Sequence, residues 1–216
     1  MQISRIGDNL KINRVRGFYS YVYLWAKRER KEIFMSELKI VNIQKYNKEI
    51  KKLYREAFPR NERIPISILQ LLTRKNKAKF YAIYDGEEFI GLLYNVYYKD
   101  IVLILYLAID NKFRGKGYGS KVLDLIKQKY GKNRIILNIE QIDENSSNNK
   151  QRIKRKEFYQ KNGFKSLGYT VKEGKEIYEM LCYSKNDGKV SKEEYESLAK
   201  YFLRNFLYKV YKKISK

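Results

Sequence analysis

Gly115, Gly117 and Gly119 alternate within the run Asp110-Asn111-Lys112-Phe113-Arg114-Gly115-Lys116-Gly117-Tyr118-Gly119-Ser120, and no other stretch restricts the fold as strongly. Upstream, Ile101 to Ile109 is almost wholly aliphatic: too short for a membrane span, and suited to a buried strand. Downstream, Val122, Leu123, Leu125, Ile126 and Tyr130 share one helical face, and Gly131 supplies a C-cap. The order is strand, glycine turn, helix. Such a turn points successive backbone N–H groups inward, and a helix opening at Gly117 presents its positive end to an anion. A phosphate cradle is the expected use.

Two familiar cradles do not fit. A dinucleotide fold would use Glu140, at the end of the next strand, as its ribose-binding acid. Its spacing is G-x-G-x-x-G, whereas the glycines here alternate, stand several residues from the strand and follow three antiparallel strands. A P-loop needs G-x-x-x-x-G-K-S/T, which does not occur.

The flanking chain reads in order. Leu38 to Ile43 alternates as a short strand, Tyr46 to Ala57 has helical spacing with Ile50, Leu53, Tyr54 and Ala57 on one face, and Phe58 to Pro65 interrupts it with both prolines. A helix over 66–75 follows, then strands over 79–84 and 89–98 joined by the turn signal Asp85-Gly86. Arg134 to Glu140 is a strand that must run parallel to 101–109, because a helical crossover joins them. Asp143 to Asn149 is a polar loop, Gln151 to Asn162 a helix closed by Gly163, and 164–171 with 176–184 a hairpin. Ser191 to Ile214 reads as an amphipathic helix with Leu198, Phe202, Phe206 and Val210 in register. The fold class is α+β: a mixed, mostly antiparallel central sheet with helices on both faces, plus the C-terminal helix.

Residues 1–34 stand apart. Phe18 to Trp25 is aromatic, and Lys27 to Glu32 is charged. One reading is an amphipathic extension; the other, favoured here, is translation from Met35, since Arg30 to Phe34 back-translates to a ribosome-binding sequence just ahead of an ATG. The expected divisions are 1–34, a domain over 35–184, and the helix over 185–216.

Composition excludes much. A length of 216 residues with 44% hydrophobic residues suits one globular domain. The net charge of +23 suits nucleic acid, an anionic surface or a polyphosphate ligand, yet the abundance of Lys, Ile, Asn and Tyr is also what an AT-rich coding sequence produces. No histidine is present, which excludes His triads, His metal sites and a His base. Cys182, the one cysteine, rules out an internal disulfide framework and fits a reducing compartment, so a cytoplasmic location is expected, with no transmembrane segment and no resident metal.

The glycine run resembles the acetyl-CoA signature of the Gcn5-related N-acetyltransferases, Gln/Arg-x-x-Gly-x-Gly/Ala, with Arg114, Gly117 and Gly119 on its fixed positions. Glu157 to Phe164 resembles the family's second motif, an aromatic pair followed by Gly-Phe, and the element order from Leu38 to Ser184 is the family's order. Ala57-Phe58-Pro59 with Glu62-Arg63 further resembles a bacterial branch. Where many members carry an Asn seven residues before the motif tyrosine, this chain has Arg152.

The resemblance implies direct transfer of acetyl from acetyl-CoA to a primary amine, small-molecule or peptide, with no nucleic acid required and a homodimer compatible with the family. Backbone groups of Gly115, Lys116, Gly117, Tyr118, Gly119 and Ser120 would bind the pyrophosphate, with Arg114 and Lys116 adding charge. Leu107, Ala108 and Ile109 would face the pantetheine arm. Tyr159 is the implied general acid; a phenol and an alkyl thiol have similar reference pKa values, so transfer between them is nearly thermoneutral. Glu140 is the first candidate base and Glu62 the second, each equally readable as an ion-pair partner, with Arg63 a ready neighbour for Glu62. Phe58, Arg63, Tyr94 and Tyr98 border the expected acceptor pocket, or pack the core. Two rivals stand beside this: a basic nucleic-acid-binding module, and an acyl-CoA-binding protein without turnover.

Overall fold

A computed structural model describes residues 38–43, 46–174 and 176–214, the last eleven as helix backbone. The expected extension over 1–34 lies outside these residues, as do the side chains of Phe206 and Val210. Seven strands form one sheet: β1 (Leu38–Asn42), β2 (Ala78–Asp85), β3 (Glu88–Tyr98), β4 (Ile101–Ile109), β5 (Arg134–Glu140), β6 (Lys165–Glu173) and β7 (Glu176–Tyr183). Their order across the sheet is β1-β2-β3-β4-β5-β7-β6, and every neighbouring pair is antiparallel except β4 with β5. The parallel pair is the one joined through a helix, as topology requires.

Helices cover both faces. On one, α1 (Lys48–Ala57), α2 (Ile66–Arg74) and α5 (Lys192–Ile214) bury Ile50, Leu53, Leu69, Leu72, Leu198 and Phe202 against Phe80, Leu92, Tyr94 and Leu103. On the other, α3 (Tyr118–Tyr130) and α4 (Asn149–Lys161) lie over Ile83, Leu93, Val102, Ile135 and Leu137. This two-sided cover is why β4, Tyr106 apart, is aliphatic instead of alternating. The fold class is therefore the α+β arrangement read from the sequence, C-terminal helix included. Among the described residues, no helix is long and apolar enough to cross a membrane.

One glycine is required by close approach. A Cβ on Gly91 of β3 would stand 2.5 Å from the Ala108 carbonyl oxygen of β4 and 2.9 Å from Ile109 Cδ1. Gly91→Ala must push the two strands apart, and a loss of about 1–3 kcal/mol, typical of overpacking, is expected in urea unfolding.

Candidate active site

The parallel pair opens into a gap. β4 and β5 pair only at Ile101 with Arg134, Val102 with Ile135 and Leu103 with Ile136, after which they part. β4 stays with β3 as far as Ile109, while β5 stays with β7 as far as Glu140. A register shift opposite Tyr94 and Asn95 leaves Leu105 as an extra residue in β4, the irregularity that bends a strand and sharpens its twist. Asp110 N–H donates to Ile90 O at 2.9 Å, so Asp110 and Ala108 turn their backbone groups toward β3. By the two-residue alternation of a strand, Leu107 and Ile109 turn theirs into the gap. Of these, the Ile109 carbonyl accepts from Arg114 Nε at 3.0 Å.

The glycine turn stands at the mouth of this gap. Asp110 caps a short 3-10 turn over Asn111–Phe113 by accepting from Lys112 N–H at 3.0 Å. Gly115 and Gly117 then take φ of +75° and +81°, the left-handed region, and among the described residues no atom beyond the adjoining residues lies within 4 Å of where either Cβ would be. Gly117 is the N-cap of α3 and supplies no side-chain cap. The first-turn N–H groups of Tyr118, Gly119 and Ser120 thus lack the usual capping partner, at the end where the helix dipole is positive. Gly119 is needed for a different reason: its Cβ would meet the Phe158 ring at 3.0 Å, so α3 and α4 touch at this point. Arg114 and Lys116 are exposed. Tyr118 is tied to the Asp85 carboxylate, which pushes its phenol pKa up.

Tyr159 approaches from α4, its ring set against Phe158 at 5.1 Å and Phe164 at 5.8 Å between centroids. Burial pushes its hydroxyl up to about 12, with Arg155 acting in the opposite direction. The near-match between phenol and thiol expected from reference values is thereby lost: burial makes Tyr159 the weaker acid of the two.

The two carboxylates have different surroundings. Glu140, 8% exposed at the end of β5, is enclosed by donors: Asn148 Nδ2 at 2.9 Å, the Arg155 guanidinium, and Arg152 at 3.6 Å. Arg152, at the position where the resemblance lacks its Asn, is itself buried, bonding Asn148 Oδ1 at 2.7 Å, the Gln141 carbonyl at 2.9 Å and Glu176 at 3.0 Å. It brackets the start of α4 to the ends of β5 and β7, and Asn148 belongs to this network. Glu140 matches the ion-pair reading of that residue.

Glu62 lies in the Pro-flanked loop between α1 and α2, which is pinned across the sheet. Tyr106 Oη donates to the Glu62 carbonyl at 2.8 Å and accepts from Ile64 N–H at 3.1 Å, while Tyr54 Oη donates to Ile64 O at 3.0 Å. The Glu62 carboxylate, half-buried, accepts at Oε1 from Tyr178 Oη of β7 at 2.8 Å. Its pKa is raised, chiefly by burial; the Tyr178 hydrogen bond lowers it, Glu140 and Glu173 raise it and Arg155 lowers it. Tyr178, and not Arg63, is its side-chain partner. Among the described residues, the buried Arg63 Nε has no hydrogen-bond partner.

The expected acceptor residues divide. Phe58, the C-cap of α1, packs its ring on Tyr54 and Tyr106, beside the Glu62 loop. Tyr94 does not border a pocket: it is fully buried, and its hydroxyl donates to Leu69 O at 3.0 Å, which makes it a core residue. Tyr98 stands at the opposite end of β3 against Tyr201, 5.2 Å between ring centroids. Cys182 is buried, its thiol pKa pushed up to about 11 by burial, as for a small packing residue. Tyr106, Arg155 and Tyr178 were not singled out by sequence, because nothing in a chain of 21 tyrosines distinguishes those that the fold brings to this loop.

Residues 76–166, spanning β2 to the first residues of β6, match the family model described as acetyltransferase (GNAT) domain. This segment is a domain of the GNAT acetyltransferase family. Among solved structures, a GNAT-family protein from Bacteroides thetaiotaomicron superposes with a TM-score of 0.58 at 22% identity, over 74% of this chain and 90% of that one. A Bacillus subtilis acetyltransferase in complex with CoA gives 0.50 at 19%, over 68% and 97%. The spermidine N-acetyltransferase of Vibrio cholerae, in complex with CoA and spermine, gives 0.53 at 12%, over 68% and 95%. At these identities the structures share the fold. No curated protein matches the sequence.

Proposed function

We propose that the chain is a cytoplasmic acetyl-CoA-dependent N-acetyltransferase acting on a primary amine by direct transfer, with 35–184 as the catalytic unit and 185–216 as a helical appendage. The observation that carries this is the uncapped start of α3, with open space over Gly115 and Gly117, set at the mouth of the β4–β5 gap. Those residues fit a pyrophosphate, since any side chain at either glycine would fill the space the anion needs. The backbone of Leu107, beyond the last β4–β5 pair, suits the amide-bearing pantetheine arm, while Arg114 and Lys116 add charge at the rim. Acetyl-CoA, when bound, supplies the activated acetyl thioester.

The chain's own residues would then manage the protons. Glu62 takes one from the acceptor ammonium, freeing its lone pair to form the C–N bond as the C–S bond breaks. The second amine proton passes to solvent. Tyr159 donates to the departing sulfur. As the weaker acid, it acts mainly through a hydrogen bond to the developing charge, and any proton transferred returns from solvent. Glu62 is preferred to Glu140 because Glu62 is half-buried with a raised pKa, whereas Glu140 is held by two guanidiniums and an amide. The amine class is the one named for the Vibrio cholerae neighbour, and the carboxylate of Glu62 suits a cationic acceptor.

Thermal unfolding with and without acetyl-CoA tests the reading. A ligand-dependent rise in Tm is expected. Salt-sensitive DNA binding in its place would favour the nucleic-acid reading of the charge.

A further inference from the structure

We infer that Tyr178 is the positioning residue of the general base, holding Glu62 Oε1 so that Oε2 is presented to the acceptor. This rests on the amine acetyltransferase reading above and adds to it a residue that neither family motif contains. Glu62 sits on an irregular loop, which by itself does not fix a carboxylate. The fold supplies two anchors from opposite sides of the gap: Tyr106 of β4 on the Glu62 backbone carbonyl at 2.8 Å, and Tyr178 of β7 on the side chain at 2.8 Å. Tyr178 pairs with Glu140 across β5 and β7, so its ring stands at the end of the strands that border the gap. It is 7% exposed, and among the described residues its hydroxyl has one hydrogen-bonded partner, Glu62. Among the described residues, Oε2 of Glu62 accepts no side-chain hydrogen bond and is left for the acceptor.

The groups facing Glu62 are Tyr178 from β7, Glu140 from β5, Glu173 from β6, Arg155 from α4 and the Tyr106 hydroxyl from β4, with Arg63 beside it on its own loop. Burial, Glu140 and Glu173 disfavour the ionised form; Tyr178 and Arg155 favour it. Tyr178 keeps its proton throughout, since burial and then the Glu62 charge push its own pKa far up. It is a fixed donor. Removing that donor must raise the pKa of Glu62 and move the acid limb of the rate profile to higher pH.

The experiment is the pH dependence of kcat for Tyr178→Phe and Glu62→Gln against the unmodified full chain, with acetyl-CoA and a diamine or polyamine acceptor. Tyr178→Phe removes one oxygen from a packed ring, and an unchanged acetyl-CoA-dependent rise in Tm verifies its fold. The expected kcat of Tyr178→Phe is about tenfold lower at pH values on the acid limb, as for one lost charge-assisted hydrogen bond. The acid limb should move upward, the deficit should narrow in alkali to the part owed to lost positioning, and KM for acetyl-CoA should be unchanged. Glu62→Gln, whose amide oxygen can still accept from Tyr178, should abolish that limb and lower the rate at every pH. A uniform loss in Tyr178→Phe with the limb unmoved overturns the positioning role while leaving the acetyltransferase reading intact. An unmodified chain that binds acetyl-CoA and acetylates no amine overturns both.

Discussion

Gly117→Trp is expected to lose acetyl-CoA binding altogether while the sheet remains folded. Gly117 has φ of +81° and forms the N-cap of α3. Any L-residue there costs roughly 1–2 kcal/mol of backbone strain, so the variant's own Tm falls. The binding loss has a separate origin: an indole would occupy the open space beside the first-turn N–H groups and displace the anion. Each charge-assisted hydrogen bond to an N–H is worth about 1.5–3 kcal/mol, so losing even two lowers affinity by more than a hundredfold. At a ligand concentration 100 times its Kd, the unmodified chain should gain about 2.7 kcal/mol of stability and the variant nothing. Calorimetric titration distinguishes the two causes, because strain alone lowers Tm without preventing heat of binding. Retained micromolar binding in Gly117→Trp would remove the glycine turn from the site.

Tyr159→Phe is expected to leave that binding intact and to lower kcat by about 10- to 100-fold, the value of a hydrogen bond to a developing charge. The hydroxyl, pushed up to about 12 by burial, stays protonated throughout the working range. Tyr159 therefore contributes no alkaline limb below about pH 11, one unit under that value, and the ratio of the two rates should be flat from neutral to mildly alkaline pH. KM for acetyl-CoA should be unchanged, which separates a lost donor from a displaced helix. An unaltered kcat would make Tyr159 a packing residue between Phe158 and Phe164.

Much of this geometry was legible in the residues themselves. The bounds of β4 and β5 are those read from the aliphatic runs at 101–109 and 134–140, because strands covered on both faces carry continuous apolar sequence. The uncapped start of α3 followed from the glycine spacing alone. Helix α4 was harder: it begins at Asn149, not Gln151, and of its residues only Arg152 is buried, so it carries almost no apolar periodicity to mark its start. The choice of base was harder still. Glu140 was favoured by its place at a strand end, but its carboxylate is occupied by Arg152 and Arg155, one helix later, and by Asn148 in the intervening loop. Glu62 became the stronger candidate through Tyr178, 116 positions away in sequence. Contacts of that separation leave no periodic trace. Tyr94 shows the converse, since an aromatic residue near the expected pocket proved to be core once both faces of β3 were seen to be covered.

The most direct test is free-thiol release from acetyl-CoA by the purified chain over a panel of diamines, polyamines, aminoglycosides and peptides, with the acceptor products examined by mass spectrometry. Amine-dependent thiol release matched mole for mole by an N-acetylated product, and abolished in Gly117→Trp, is the predicted result. Acetyl-CoA binding with no amine-dependent release over the whole panel would contradict it and leave a GNAT-fold protein that holds the cofactor without turning it over.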